Sequence, residues 1–258
     1  MVRPVAALFT LAAVVAAVPE GRNRRHFSLK PTRRPVPELH GHLSVTGGAA
    51  PVSAVDVVPS VVTSLAFEMA ELTALVAAAD AVAKKVNPVV GKALILATWF
   101  LVIFGSSFLM SAMPQALRPT EPLDPAWYAT LKKPRWNPPG WLFPIMWLII
   151  SKPTQMAAVT VLTLGGRPAL APATLMYLFH LCLGDVWNTV FFVRQQISLG
   201  LLVILVFYAA LWASSFLFWQ ESQVAGALLL PTCGWVTVAS SLNFAIFLLN
   251  KDAKGNGK

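Results

Sequence analysis

Five long apolar stretches constrain this chain more than any other feature of its sequence. A helix needs about 20 mainly apolar residues to cross the hydrocarbon core of a bilayer. Stretches of that length occupy residues 93–113, 141–164, 169–193, 197–219 and 224–249, and three of them contain no charged residue. Only 12% of the chain is charged, whereas an ordinary soluble domain has about 25%. We therefore predict an all-α integral membrane bundle of five transmembrane helices, with short connections, over residues 91–250.

Most of the basic residues lie outside these stretches. The net charge is +9, but the sequence shows no basic stripe on a soluble face. We interpret the charge as a topology and targeting signal and predict no nucleic-acid binding. The chain has two cysteines, Cys182 and Cys233, each inside an apolar stretch. Two cysteines are too few for a disulfide framework or a cysteine-based metal site, and we predict no metal.

Residues 1–50 have the composition of a targeting leader. Arg3 and the apolar residues 5–18 resemble a signal peptide, and residues 22–48 are rich in Arg, Ser, Thr and Pro with a single acidic residue. A signal-like segment followed by a transit-like segment predicts import into a plastid with extra envelope membranes. The alternative is a secretory signal followed by a disordered basic linker, which would place the protein in another organellar or secretory membrane.

Residues 51–90 form a second segment before the membrane domain. Apolar residues recur there with a helical period over residues 55–85, which predicts an amphipathic helix on the membrane surface or against the bundle. We expect Glu68, Glu71 and Asp80 to form its solvated face. At the other end of the chain, residues 251–258 form a basic polar tail.

The segment 127–147 concentrates four of the nine tryptophans and four prolines. Indole rings settle at membrane interfaces, and closely spaced prolines stiffen a chain that cannot form a regular helix. We predict a rigid loop with aromatic walls and with basic residues at its rim: Lys132, Lys133 and Arg135. These charges suit headgroup phosphates or the carboxylates of an amphipathic ligand. The alternative is an aromatic belt with snorkelling lysines and no ligand.

Ionisable residues within an apolar stretch are rare and usually functional. The second stretch contains Lys152 and the third contains His180 and Asp185. Counted from the same side, Lys152 and Asp185 lie at a depth of roughly 12 to 17 Å, which predicts a pair between the two helices. Pro153 should kink its helix beside the pair. The alternative is an ion pair that only fixes helix register, and we expect His180 to be a hydrogen-bonded core residue.

Further aromatic residues follow on the third and fifth stretches. A cavity opened by the proline loop and lined by such rings would bind a planar macrocycle by stacking. The predicted ligand-binding residues are Trp136, Pro138, Pro139, Trp141, Phe143, Trp147, Trp187, Phe191, Trp235 and Asn243.

These residues resemble the TspO/MBR family, which comprises the tryptophan-rich sensory proteins and the translocator proteins. The family's tryptophan and proline loop is similar to Trp127, Tyr128, Lys133, Pro134, Trp136, Pro138, Pro139, Trp141 and Trp147. Its later motifs are similar to Trp187, Phe191, Phe192, Leu229, Pro231, Trp235, Leu242 and Asn243. The likeness covers residues 92–250 and implies a five-helix bundle, commonly dimeric, with a cavity below the first loop that binds porphyrins.

Several positions depart from the family pattern. Ile150 and Ser151 replace its Leu-Tyr, Gly184 replaces its usual Asn, and Thr232 replaces the Tyr of its Pro-Tyr. The pair of Lys152 and Asp185 is also outside the usual pattern, which indicates a modified pocket. The loose sterol pattern of animal members needs a Tyr that residues 242–251 do not contain, so sterol binding has little support.

The resemblance and the residues together favour a membrane-embedded protein that binds a heme-type or other porphyrin ligand and senses, carries or scavenges it. No catalytic residue is predicted and no cofactor is required. One alternative is an enzyme that degrades porphyrin with light and oxygen. Another is a structural subunit of a pigment–protein complex that docks through the helix of residues 55–85.

Overall fold

The computed structural model describes residues 54–109 and 125–251, and all regular structure in these two ranges is helical. The leader predicted for residues 1–50, the last residues of the first apolar stretch and most of the basic tail lie outside the described residues. The helices are α1 (Ala54–Ala83), α2 (Pro88–Leu109), α3 (Pro125–Thr130), α4 (Leu142–Leu164), α5 (Pro172–Val193), α6 (Ile197–Glu221) and α7 (Gln223–Asn250).

The prediction of an all-α membrane bundle is confirmed, with one change in the number of helices. Six helices, rather than five, are long and apolar enough to cross a membrane. The added helix is α1, whose apolar part spans Val57–Ala83 and which we expected to be amphipathic. This part has only three acidic residues, Glu68, Glu71 and Asp80, so the long apolar sequence outweighs them. The protein is therefore a multi-pass membrane protein.

The six long helices run alternately up and down, which gives the bundle two distinct ends. At one end, called the loop end, the connection of residues 131–141 meets the end of α7. There the Asn250 side chain donates to the Lys132 carbonyl over 2.9 Å and accepts from the Lys132 backbone N–H over 3.1 Å. At the other end, called the hairpin end, Arg167 forms an ion pair of 3.0 Å with Glu221. The polar contacts hold short connections in place at both ends.

Helix α1 is joined closely to the rest of the bundle. It packs against α2 and α5, and its buried face includes Leu72 and Val76. At the turn into α2, a Cβ atom on Gly91 would lie 2.6 Å from the carbonyl oxygen of Ala83. Only glycine lets the two helices approach so closely at this turn. The α1–α2 hairpin is therefore part of the packed bundle.

The prediction of a solvated face on α1 is wrong for Glu68. Glu68 is fully buried, with 0% of its surface exposed. It lies three residues after Leu65 and four before Leu72, which places it on the same helical stripe as these buried or partly buried leucines. Glu71 is half-buried, and Asp80 forms an ion pair of 2.6 Å with Lys84 near the helix end.

Helix α5 lies at the centre of the bundle and contacts α1, α2 and α6. Two clusters of buried side chains surround it. One lies toward the loop end and is rich in aromatic rings, including Trp187, Phe191 and Phe207. The other lies toward the hairpin end and includes Trp99 and Tyr177. The functional residues predicted on α5 lie where these clusters meet.

Two of the long helices widen locally into π-helix. In α4 the segment Ile145–Ser151 is π-helical, and the Lys152 backbone N–H donates to the carbonyl of Trp147, five residues earlier. Pro153 has no N–H, so the ordinary bond to Ile149 cannot form, and the wider turn is a physical response to this loss. In α5 the segment Thr189–Val193 is π-helical. Both wide turns adjoin the cavity described below.

Candidate functional site

A cavity of about 130 Å³ lies between α4, α5 and α6, with Ser106 of α2 at its side. Its part toward the loop end, called the aromatic wall, is formed by Phe143, Trp147, Trp187 and Phe192. Its deeper part, called the polar floor, is formed by Ser151, Lys152, Gln155, His180 and Asp185. The cavity therefore joins an apolar surface to a polar one inside the membrane-spanning region.

The aromatic wall is fixed from behind by a second layer of side chains. Phe143 and Trp147 contact the ring of Trp235 edge-on, at centroid distances of 5.3 and 6.3 Å. Trp187 stacks on Phe191 at 5.6 Å. These perpendicular and offset contacts are the favourable geometries of aromatic pairs. The wall is therefore rigid before any ligand binds.

A hydrogen bond orients the central indole of the wall. The Trp187 Nε1–H donates to Asn243 Oδ1 over 3.2 Å, and the Asn243 amide donates to the carbonyl of Ala239 over 3.0 Å. Buried indole N–H groups usually need such a partner. Three of the predicted ligand-binding residues, Phe191, Trp235 and Asn243, are thus buried behind the wall and do not line the cavity.

The proline loop lies outside the cavity. Trp136 and Trp141 are 52% and 58% exposed, and neither lines the cavity. Pro138 is buried and Pro139 is half-buried, which anchors the loop on the bundle. Of the four loop tryptophans, only Trp147 faces the cavity directly, because the α4 helix carries it inward.

The three rim charges differ in their surroundings. Lys132 and Arg135 are exposed. The Lys133 ammonium lies 4.5 Å from the centre of the Tyr128 ring and donates to the carbonyl of Leu131 over 3.3 Å. Burial lowers the pKa of Lys133 and raises the pKa of Tyr128 to about 12. Lys133 therefore stabilises the loop, while Lys132 and Arg135 are free to meet an anion.

The polar floor brings together the two ionisable residues that the sequence analysis predicted as a pair. Lys152 and Asp185 line the same cavity. Lys152 also donates a hydrogen bond to the carbonyl of Ile103 on α2. Both side chains reach the cavity from different helices, and their pairing stays a prediction.

A third ionisable residue, which the sequence analysis missed, completes this group. Glu68 of α1 is fully buried near Asp185 and Lys152, and neither of its carboxyl oxygens has a hydrogen-bond partner among the described residues. The signal was present: α1 is long and apolar enough to span a membrane, and an acidic residue inside such a helix is a functional candidate by default. The sequence analysis instead expected Glu68 on the solvated face of an amphipathic helix.

Neutral polar groups form the remainder of the floor. The Tyr177 hydroxyl donates to Gln155 Oε1 over 2.9 Å, and the Gln155 amide donates to Thr232 Oγ1 over 3.3 Å. His180 Nδ1 bonds the carbonyl of Tyr177 over 2.7 Å, so this nitrogen carries the proton because a carbonyl only accepts. His180 is thus a hydrogen-bonded residue of the buried core, 1% exposed. Within the described residues, no group of three or more His, Cys, Asp or Glu is arranged to hold a metal ion.

The comparisons with known proteins identify the family. The TspO/MBR family model matches residues 95–249. The chain is 33% identical to a tryptophan-rich sensory protein of Cereibacter sphaeroides, over 58% of this chain and 89% of the relative. It is 34% identical to the protein CrtK of Rhodobacter capsulatus, over 50% of this chain and 81% of the relative. It is 30% identical to the human translocator protein, over 50% and 78% respectively. The chain therefore belongs to the TspO/MBR family.

Proposed function

We propose that this protein binds a planar, hydrophobic ligand of the tetrapyrrole class and senses, carries or scavenges it within a membrane. The observation that carries the proposal is the aromatic wall, where four rings from α4 and α5 face one cavity. Preformed aromatic surfaces inside a mainly apolar cavity bind flat ligands by stacking and by burial of apolar area. The names of the relatives, a sensory protein and a translocator protein, agree with a ligand-handling role.

The size of the cavity defines how such a ligand would lie. An apolar cavity of about 150 Å³ holds one benzene molecule, and this cavity measures about 130 Å³. A tetrapyrrole has four pyrrole rings, so one edge would enter the cavity while the remainder lay against the proline loop. The exposed rings of Trp136 and Trp141 would then cover the outer part of the ligand, and Lys132 and Arg135 would meet its carboxylates.

A titration with protoporphyrin IX tests this function. We expect saturable quenching of tryptophan fluorescence in the dark, measured on the full chain in lipid nanodiscs. Trp147→Phe should weaken binding by about fivefold, since the smaller ring loses stacking area worth about 1 kcal/mol. The matched control is Trp219→Phe, because Trp219 is 45% exposed at the hairpin end of α6. No saturable quenching, or equal effects of the two substitutions, would contradict the proposal.

The same titration under light separates binding from catalysis. A binding protein leaves the porphyrin absorbance intact after the complex is dissociated. A loss of absorbance that requires both oxygen and one particular tryptophan would instead show a degrading activity, which is the alternative considered from the sequence.

We also propose that residues 1–50 direct the protein to a plastid membrane. The support is their composition, with an apolar stretch at residues 5–18 followed by a basic, Ser- and Thr-containing stretch. A fluorescent protein fused behind residues 1–50 should enter the plastid of a cell with a multiply bounded plastid. Retention of the fusion in the secretory pathway would contradict this location.

The remaining proposed partners are a second copy of the chain and a pigment–protein complex. The support for a dimer is the resemblance to the family alone. Cross-linking in native membranes tests both partners, because a homodimer and a larger complex migrate with different masses. If only the monomer is captured, both partners are contradicted.

A further inference from the structure

One serine of the polar floor differs from most hydroxyl-bearing residues of the bundle. Ser151 is 0% exposed, and its Oγ has no hydrogen-bond partner among the described residues. Serine and threonine side chains inside helices often bond the carbonyl of the residue three or four positions earlier. Several hydroxyl groups of this bundle form that bond: those of Thr154, Thr160, Ser214, Thr237 and Ser241. Buried hydroxyl groups without any partner are rare in native proteins, so the one on Ser151 requires an explanation.

The wide turn of α4 accounts for this hydroxyl group. Ser151 ends the π-helical segment Ile145–Ser151, in which backbone hydrogen bonds span five residues. In an ordinary α-helical turn the carbonyl four residues earlier lies beside a serine hydroxyl, and the wider turn displaces that carbonyl. Single π-helical turns inside α-helices occur frequently at functional sites. Because Ser151 lines the cavity, the turn leaves its hydroxyl available to a ligand there.

A second polar group reaches the cavity from α5. His180 lines the cavity, and its Nδ1–H donates to the Tyr177 carbonyl over 2.7 Å. In the neutral ring the opposite nitrogen, Nε2, therefore carries no proton and can only accept a hydrogen bond. The imidazole lies nearly parallel to the ring of Phe207, with 15° between the planes and 5.6 Å between the centroids. These contacts hold the imidazole in one orientation, so the cavity offers a hydroxyl donor on α4 and a nitrogen acceptor on α5.

The ionisable residues of the floor favour a neutral ligand group over a charged one. A basic residue, Lys152, and an acidic residue, Asp185, line the same cavity. A charged ligand group attracted by one of them is repelled by the other, and it must also give up its hydration in water. A neutral hydroxyl group has a much smaller cost of burial. It also matches the two available partners, because its O–H can donate to Nε2 of His180 and its oxygen can accept from Ser151.

We propose that the polar floor binds the hydroxyl group of a small phenol, which donates to His180 Nε2 and accepts from the Ser151 hydroxyl. The ring of the phenol lies against Phe143 and Trp147 of the aromatic wall. A cavity of about 130 Å³ suits a single ring, since one of about 150 Å³ holds benzene. A phenol thus joins a flat apolar ring for the wall to a neutral hydroxyl for the floor. This site is beyond the tetrapyrrole function and does not rest on it.

4-Fluorophenol and 4-fluorotoluene form a matched pair of probes, since a hydroxyl and a methyl group are similar in size and only the hydroxyl forms hydrogen bonds. Fluorine NMR titrations of the full chain in lipid nanodiscs measure the affinity of each probe. Both probes also dissolve in lipid, so empty nanodiscs serve as the blank. The quantity compared between variants is the affinity for the phenol divided by the affinity for the toluene, in which lipid partition cancels. We expect saturable binding of 4-fluorophenol at one site in each chain.

Substitutions assign the two hydrogen bonds. Ser151→Ala should lower the affinity ratio about fivefold, which corresponds to about 1 kcal/mol for one hydrogen bond. Ser214→Ala is the control, because Ser214 is also 0% exposed but bonds the Ala210 carbonyl and does not line this cavity. His180→Asn should lower the ratio by a similar factor. The amide that it introduces can still donate to the Tyr177 carbonyl but places no nitrogen acceptor where Nε2 lies.

A spectroscopic signature tests the site without any variant. His180 is the only histidine within residues 54–109 and 125–251, and 4-fluorophenol should shift the nitrogen-15 resonance of its Nε2, whereas 4-fluorotoluene should not. Three results would overturn the proposal: no saturable binding of 4-fluorophenol, equal shifts with the two probes, and a ratio that Ser151→Ala or His180→Asn changes no more than Ser214→Ala. None of these measurements uses a porphyrin, so failure of this proposal is distinguishable from failure of the tetrapyrrole function.

Discussion

The aromatic wall and the polar floor line one cavity but differ in origin and in physics. The wall is built entirely from residues within the part of the chain that matches the family, residues 95–249. The floor has in addition a buried acidic neighbour, Glu68, on helix α1, which lies outside that part. Ring contacts hold the wall, whereas charge and hydrogen bonds hold the floor.

This difference gives the two parts of the cavity different ways to distinguish ligands. Stacking surfaces distinguish ligands by shape and tolerate many flat molecules. Buried charges distinguish ligands by charge, because an unmatched charge in an apolar environment is strongly unfavourable. Glu68 therefore brings an acidic group close to the floor from helix α1, which lies outside the part of the chain that matches the family.

The largest effect should come from the layer behind the wall. Phe191 is 1% exposed and contacts Trp127, Tyr128, Trp187 and Phe192. Phe191→Ala should lower the free energy of unfolding by about 3–5 kcal/mol, because it removes a large buried ring and leaves a cavity. Reversible SDS unfolding in mixed micelles measures the change. Phe216→Ala is the control: Phe216 is 62% exposed, and lipid takes the place of its ring. Equal losses would show that the wall is not rigidly supported.

The second largest effect should come from removing the positive charge of the polar floor. Lys152→Met leaves the two carboxyl groups without their ammonium, and we expect a loss of about 3 kcal/mol. The double variant Lys152→Met/Asp185→Asn should recover most of this loss, since it removes the uncompensated charge. Lys92→Met, at an exposed position of α2, serves as the control. A double variant no more stable than the single one would show that Lys152 acts through packing, and the contrast between floor and wall would fail.

A smaller effect tests the neutral part of the floor. Tyr177→Phe removes the hydroxyl that donates to Gln155 Oε1 while retaining the buried ring. An acceptor left without its donor costs about 1–3 kcal/mol, which the same unfolding assay detects. Thr237→Val is the comparison, because within the part of the chain that the structure describes the Thr237 hydroxyl bonds only a carbonyl of its own helix, that of Cys233. If both substitutions have the same effect, the network of Tyr177 and Gln155 adds nothing to the floor.

The smallest effect at neutral pH concerns Tyr128 at the rim of the wall. Burial raises the pKa of its phenol to about 12, so the fold favours the neutral form. The resulting stabilisation is complete below the ordinary value near 10 and is lost as the pH rises through about 12. Ultraviolet absorbance of tyrosinate should show a late titration step that Tyr128→Phe removes. A phenol that titrates near 10 would show that the rim is open to water.

Much of this architecture could be predicted from residue order alone. The apolar stretches predicted the membrane bundle, and the tryptophan and proline pattern predicted the family. Trp147 and Trp187, both predicted to bind ligand, line one cavity. The loop motif and the resemblance predicted the same site for Trp136 and Trp141, but the loop leaves both exposed outside the cavity. Spacing along a loop does not determine which way a ring faces.

The sequence by itself determined the membrane environment, the helical content and the family, because length, hydropathy and a dense motif are local properties of the chain. Only the tertiary structure decided that Glu68 meets Asp185 and Lys152, residues more than 80 positions away from it. Helical periodicity shows that a side chain faces inward but not which helix it meets. The packing of α1 against α5 brings Glu68 there, so an acidic residue that we expected in solvent is buried near the cavity floor.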